Sequence, residues 1–199
     1  MAREVNFGSD GNFTPEQFVE RINTDLANAL GNLLNRTVSM INKYFDGVVP
    51  EYKGRINDVD GNLEDLTKLT IESYERLMDD LKITDAITAV NELVNRANKY
   101  IDETEPWALA KDEAKRANLE SVMTHLANSL YVAGMLLKPV LVTASDKLFD
   151  QLGVKDELLN YENIYKYGVV SNLKVEKKDQ LFPRLDAAIE VQYIQDLMK

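Results

Sequence analysis

The stretch Asp25–Phe45, DLANALGNLLNRTVSMINKYF, limits the fold more than any other part of the chain. Leu26, Leu30, Leu33, Leu34, Thr37, Val38 and Ile41 recur at three- and four-residue spacings, the period of one buried helical stripe. That period makes the stretch one long helix whose apolar stripe must be buried against a neighbour. On a second line of the same helix stand Asn28, Asn32 and Arg36, each about one turn from the last. Two readings of that line are open. It is a solvated helix face, or it is a row of amide donors and acceptors ending in a guanidinium fork, a set suited to the edges of nucleic-acid bases.

The 199 residues suffice for one domain with an appendage, and 45% hydrophobic residues with five prolines and nine glycines describe a globular chain. Without cysteine there are no disulfides, thiolate chemistry or cysteine-bound metals, which agrees with a reducing, cytoplasmic setting. No apolar run is long enough to span a bilayer, and the start MAREVNFGSDGNF has no signal-peptide core, so no membrane partner is expected. A net charge of −10 argues against gripping duplex nucleic acid by its phosphates. Between Leu30 and Asn57, however, four basic residues (Arg36, Lys43, Lys53, Arg55) face two acids, a locally basic stretch. Reading unstacked bases leans on stacking and edge hydrogen bonds, which tolerate a weak phosphate grip.

Taken in order, Thr14-Pro15-Glu16-Gln17 is a helix start, with threonine as cap, proline at the first position and glutamine three residues on. That helix carries Phe18, Ile22 and Leu26 inward. Asn23-Thr24-Asp25 reads as a break before the long helix, which ends at Phe45-Asp46-Gly47 with glycine in the left-handed position. After a connection, further helices are expected over Asn62–Leu81 (Leu66, Leu69, Tyr74, Leu77 and Leu81 inward), from a Thr84 cap through Ile101, over Lys115–Leu137, and over Ala144–Leu152 up to Gly153. Pro139 ends or kinks the Lys115–Leu137 helix. The expectation is an all-α, up-and-down five-helix bundle over residues 14–154, preceded by a linker, 1–13. Residues 155–199 form a partly extended tail ending in a helix from Asp186, which packs on the bundle or bridges to another domain.

Catalytic signatures are missing: there is no glycine-rich phosphate loop, dinucleotide fingerprint or G-x-S-x-G elbow. The single histidine, His125, has no second histidine or cysteine to complete a site and reads as a helix residue satisfied by a neighbour. Trp107, the single tryptophan, follows a Glu-Pro break at the start of the next helical segment. It is either core or a platform for an unstacked base.

The segments ANKYIDETEPWALAK (Ala97–Lys111) and FTPEQFVERINTDLANALGNLLNR (Phe13–Arg36), with LFPRLD (Leu181–Asp186) in the tail, resemble the anticodon-binding domain of bacterial methionyl-tRNA synthetases. The likeness runs in order across nearly the whole chain. It implies recognition of the CAU anticodon loop of methionine tRNAs. In the family, an asparagine and an arginine four apart on the long helix, and the tryptophan after the Glu-Pro pair, contact anticodon bases; the matching positions are Asn32, Arg36 and Trp107. Asn98 also matches, against the alternative of an amide bonding backbone near a helix end. Asn28 is added from helix geometry alone. The resemblance further implies that ATP, and zinc where a member has it, belong to a catalytic domain of the same parent chain; neither HIGH nor KMSKS occurs here. The parent would ligate methionine to tRNA, while this piece, an excised domain, would be inactive alone and would oligomerise only through other parts. Two alternatives stay open: a helical protein-interaction or structural module, and the anticodon domain of another class I synthetase.

Overall fold

The computed structural model describes Gly8 and residues 11–198, so most of the expected linker lies outside the described residues. The first element is α1 (Pro15–Arg21), capped as its sequence predicts: the Thr14 hydroxyl accepts the Gln17 amide at 3.3 Å and Pro15 takes the first turn. The expected break at Asn23-Thr24-Asp25 does not occur. Ile22–Gly31 continues as a π-helix and runs without a cap into α2 (Asn32–Phe45), giving one rod from Pro15 to Phe45. Asn23 does not cap because its amide is used elsewhere. It donates to the Leu185 carbonyl at 3.0 Å and accepts the Leu185 amide at 2.8 Å. The rod stops at Asp46 and Gly47, both left-handed, at φ 51° and 81°.

Next come α3 (Asp60–Asp79), α4 (Ile83–Thr104), the single turn α5 (Pro106–Leu109), α6 (Arg116–Leu137) and α7 (Val142–Leu152), and in the tail α8 (Ala187–Leu197). The all-α class holds, with one isolated antiparallel bridge and no strand among the described residues. The helix count differs from five, because α5 forms a further short helix between α4 and α6. In α3 the inward face is Leu63, Thr67, Thr70, Ile71 and Tyr74. Leu69 and Leu81, expected inside, are each 56% exposed. Threonines take the seam instead: Thr67 is buried and its hydroxyl donates to the Leu63 carbonyl at 2.7 Å, so it needs no water. Thr84 does not cap α4 either; the cap position is Lys82, and Thr84 sits within the first turn.

Helix α6 is the axis of the core, buried almost continuously from Leu119 to Leu137, and its buried polar residues Ser121, Thr124, His125, Asn128 and Ser129 are hydrogen-bonded. Gly134 lets α7 close on it: a β-carbon there would lie 2.9 Å from both Leu148 and Phe149. The tail returns along the bundle. Val49 and Leu173, Asn172 and Val49, and Val175 and Gly47 exchange backbone hydrogen bonds of 2.7–2.9 Å, and α8 packs on α1. Val170, Val175 and Leu181 are buried beneath this return. No helix among the described residues is long and apolar enough to cross a membrane.

Candidate nucleic-acid interface

The polar line on the rod faces α4, and the two helices meet through paired side chains. Asn32 Nδ2 donates to Asn98 Oδ1 at 3.3 Å, and Arg36 Nη2 donates to Asp102 Oδ1 at 2.7 Å. The two pairs are one turn apart on both helices, so the contacts form two rungs of a ladder. Asn98 also donates to the carbonyls of Ala29 (3.2 Å) and Val94 (3.1 Å), the backbone role weighed for it above. Asn28 stands apart from the ladder. It lies in the π-helical segment, where the wider turn carries it off the line that 3.6 residues per turn would draw. It is exposed and borders a groove rather than Asn98.

Helix α4 ends two residues beyond Asp102. Glu105 takes a left-handed conformation at φ 43° and closes onto the Ile101 carbonyl. Pro106 then opens α5 and is buried, while Trp107 is thrown outward, 44% exposed. The Glu-Pro pair thus acts as a pedestal: the proline is embedded and the indole next to it faces water. Trp107 follows the second rung by five residues along the chain, beyond the same end of α4. Arg116, at the start of α6, donates to the Tyr44 carbonyl at 3.0 Å and sits 3.9 Å over the Phe45 ring, tying the end of the rod to this end of the bundle.

The basic stretch read from the sequence is largely compensated in the fold. Lys53 pairs with Glu120 at 2.9 Å, Arg55 with Glu64 and Asp65, and Arg36 with Asp102, all acids from outside that window. Asn98 is among the expected site residues, whereas Asp102 and the groove residue Asn35 are not. Spacing of four on α4 puts Asn98 and Asp102 in line, but nothing local pairs them with residues 66 positions earlier.

A buried polar knot supports this end. Asp60, fully buried, accepts from the Tyr100 hydroxyl (2.5 Å), the Ser121 hydroxyl (2.6 Å) and the amides of Ile56 and Asn57 (both 2.8 Å). Burial alone would push its carboxyl up, but these donors outweigh it and hold it below its ordinary value. Glu64 behaves alike: burial raises it, while Arg55, Tyr52 and His125 pull it lower. Its hydrogen bond from Tyr52, added to burial, pushes that phenol up to about 12. His125 is fully buried, with Nδ1 2.7 Å from the Ser121 carbonyl and Nε2 2.9 Å from Glu64 Oε1. It is satisfied by neighbours, as expected, and serves the scaffold.

Comparison with known proteins follows the same line. Residues 49–188 match the family model described as the anticodon binding domain of methionyl tRNA ligase, and residues 1–38 match that of class I tRNA synthetases (M). The methionine–tRNA ligase of Bacillus subtilis (strain 168) is 51% identical over 200 residues, covering all of this chain and 30% of that protein. That of Listeria monocytogenes (strain EGD-e) is 52% identical over 202 residues with the same coverage. The free-state crystal structure of Mycobacterium tuberculosis methionyl-tRNA synthetase superposes with a TM-score of 0.86 at 32% identity, over 93% of this chain and 37% of that one. The chain therefore spans about 30% of the length of the curated relatives it matches.

Proposed function

The chain belongs to the methionyl-tRNA ligase family, as the anticodon-binding domain of such an enzyme, and from that premise we propose that it reads the CAU anticodon loop of methionine tRNAs for a catalytic part of the same parent. The observation that carries this reading is the exposed Trp107 on its Glu105-Pro106 pedestal, beyond the end of α4 that holds the Asn32–Asn98 and Arg36–Asp102 rungs. An anticodon base that leaves its stack meets the indole, a contact worth about 1–3 kcal/mol. Asn32 offers donor and acceptor to a base edge. Arg36 uses one of its five donors on Asp102, so others remain for a base and its backbone. Asn28 and Asn98 serve the same RNA, Asn98 chiefly by holding Asn32 in place. Methionine activation, ATP and any zinc belong, on this reading, to the catalytic part, and the work is done in the cytoplasm.

The test is Trp107→Ala in the full-length parent enzyme. Charging of methionine tRNA falls about 10- to 100-fold, the stacking energy expressed as a rate, while methionine activation is unchanged. Equal losses in both would mark a folding defect and remove the indole from the reading. Binding that ignores a swapped anticodon would remove methionine identity.

A further inference from the structure

Between the rod and the returning tail lies a cavity of about 390 Å³, walled on one side by Asn28, Asn32 and Asn35 and on the other by Gln180, Phe182 and Arg184. Its size is that of a small-ligand pocket. Gly31 forms part of its wall: a β-carbon there would stand 3.1 Å from the Leu26 carbonyl, a tight contact, and 3.7 Å from the Phe182 ring, an ordinary one. The tail is pinned on both sides of Phe182 and Arg184, by buried Leu181 before them and by the Asn23–Leu185 hydrogen bonds after.

The lining chemistry is unusual for a chain of net charge −10. No acid borders the cavity. Arg184 is exposed and makes no ion pair among the described residues, whereas Arg36, Lys53, Arg55 and Lys178 are all matched by carboxylates. Four amides, an aromatic ring and a guanidinium with no ion pair among the described residues are what a nucleotide asks for: donors and acceptors for a base edge, a ring for its face, a cation for its phosphate. Asn32 belongs both to this cavity and to the ladder, so the two surfaces are continuous.

We infer that this cavity is a second nucleotide subsite for the same RNA. It takes one unstacked nucleotide of the anticodon arm beside the bases met by Arg36 and Trp107, with its phosphate on Arg184 and its base edge on Asn28 and Asn35. The inference rests on the anticodon reading above. The partner is RNA rather than an acidic peptide because the cavity opens onto the ladder and carries a base-reading set of amides, not a cluster of cations.

The experiment is a titration of the isotope-labelled chain, followed by amide NMR, with a stem-loop RNA carrying the CAU loop and with the same stem carrying a scrambled loop. The expected result is that Asn28, Asn35 and Arg184 shift with the CAU stem-loop and saturate together with Trp107. Arg184→Ala then weakens binding about tenfold and flattens the dependence of log affinity on log salt by about 0.7–0.9, one phosphate contact. Arg184→Lys restores the slope. Asn35→Asp, on the rod and independent of the tail, also weakens binding, and thermal melting of each variant reports its folding. If Trp107 and Arg36 respond while Asn28, Asn35 and Arg184 are silent, or if the salt slope of Arg184→Ala is unchanged, the subsite is wrong and the anticodon reading stands. If the RNA does not bind, or the two loops bind alike, the anticodon reading fails and takes the subsite with it.

Discussion

Arg36 is held by Asp102 at 2.7 Å, and on the proposed anticodon reading this one pairing governs the interface. An exposed ion pair of this kind contributes at most about 1 kcal/mol to stability, so its weight lies in positioning: it holds the guanidinium against α4 and sets a negative charge next to it. Removing the two partners therefore has opposite effects. Arg36→Ala weakens binding of the CAU stem-loop, whereas Asp102→Asn strengthens it several-fold and narrows the margin between CAU and altered loops, because the charge that repels wrong placements has gone. Competitive binding of the two stem-loops measures both quantities. At this scale the sequence disclosed the types of residue but not their company. His125 was legible as a satisfied helix residue because nothing else could complete a site with it. The Arg36–Asp102 pairing was not, since it joins residues that only the packing of the rod on α4 brings together.

Among the elements, the rod and its tail carry the most instructive differences. Thr14-Pro15, Gly153 and the stop before Pro139 behave as local chemistry demands. The π-helical segment does not announce itself in composition, and the Asn23-Thr24-Asp25 signal misleads because Asn23 looks like a cap until the tail engages it. Asn23→Ala leaves two backbone groups of Leu185 without partners, a loss of about 1–3 kcal/mol. The expected outcome is faster proteolytic trimming of the α8 region with the bundle intact, read by mass spectrometry. Leu81 offers the opposite case. It sits at φ 58° and is largely exposed, a conformation a leucine adopts at a cost of about 1–2 kcal/mol. Leu81→Asn raises the melting temperature, since asparagine visits that region readily and more than half of the leucine already faces water.

For the whole molecule, the knot around Asp60 and Glu64 joins α3, α4, α6 and the 48–59 connection. Both carboxyls lie below their ordinary values, so each contributes stability that is complete above the unfolded-state value near about 4 and is lost as pH falls through the lower folded value. Urea midpoints hold through neutral pH and drop on acidification below that point. Asp60→Asn costs on the order of 3 kcal/mol at neutral pH, because its charge-assisted bonds go, and flattens the acid limb of the profile. The all-α class was readable from periodicity; the return of residues 172–175 alongside 47–49 was not, because backbone pairing at that sequence distance leaves no pattern in either segment. One feature of the first helices reaches further than stability. From Pro15 to Phe45 the backbone never loosens, a strut of about 45 Å at 1.5 Å per residue. Anything joined to its near end is kept at a fixed span and bearing from the far end, as the two points of a pair of calipers are.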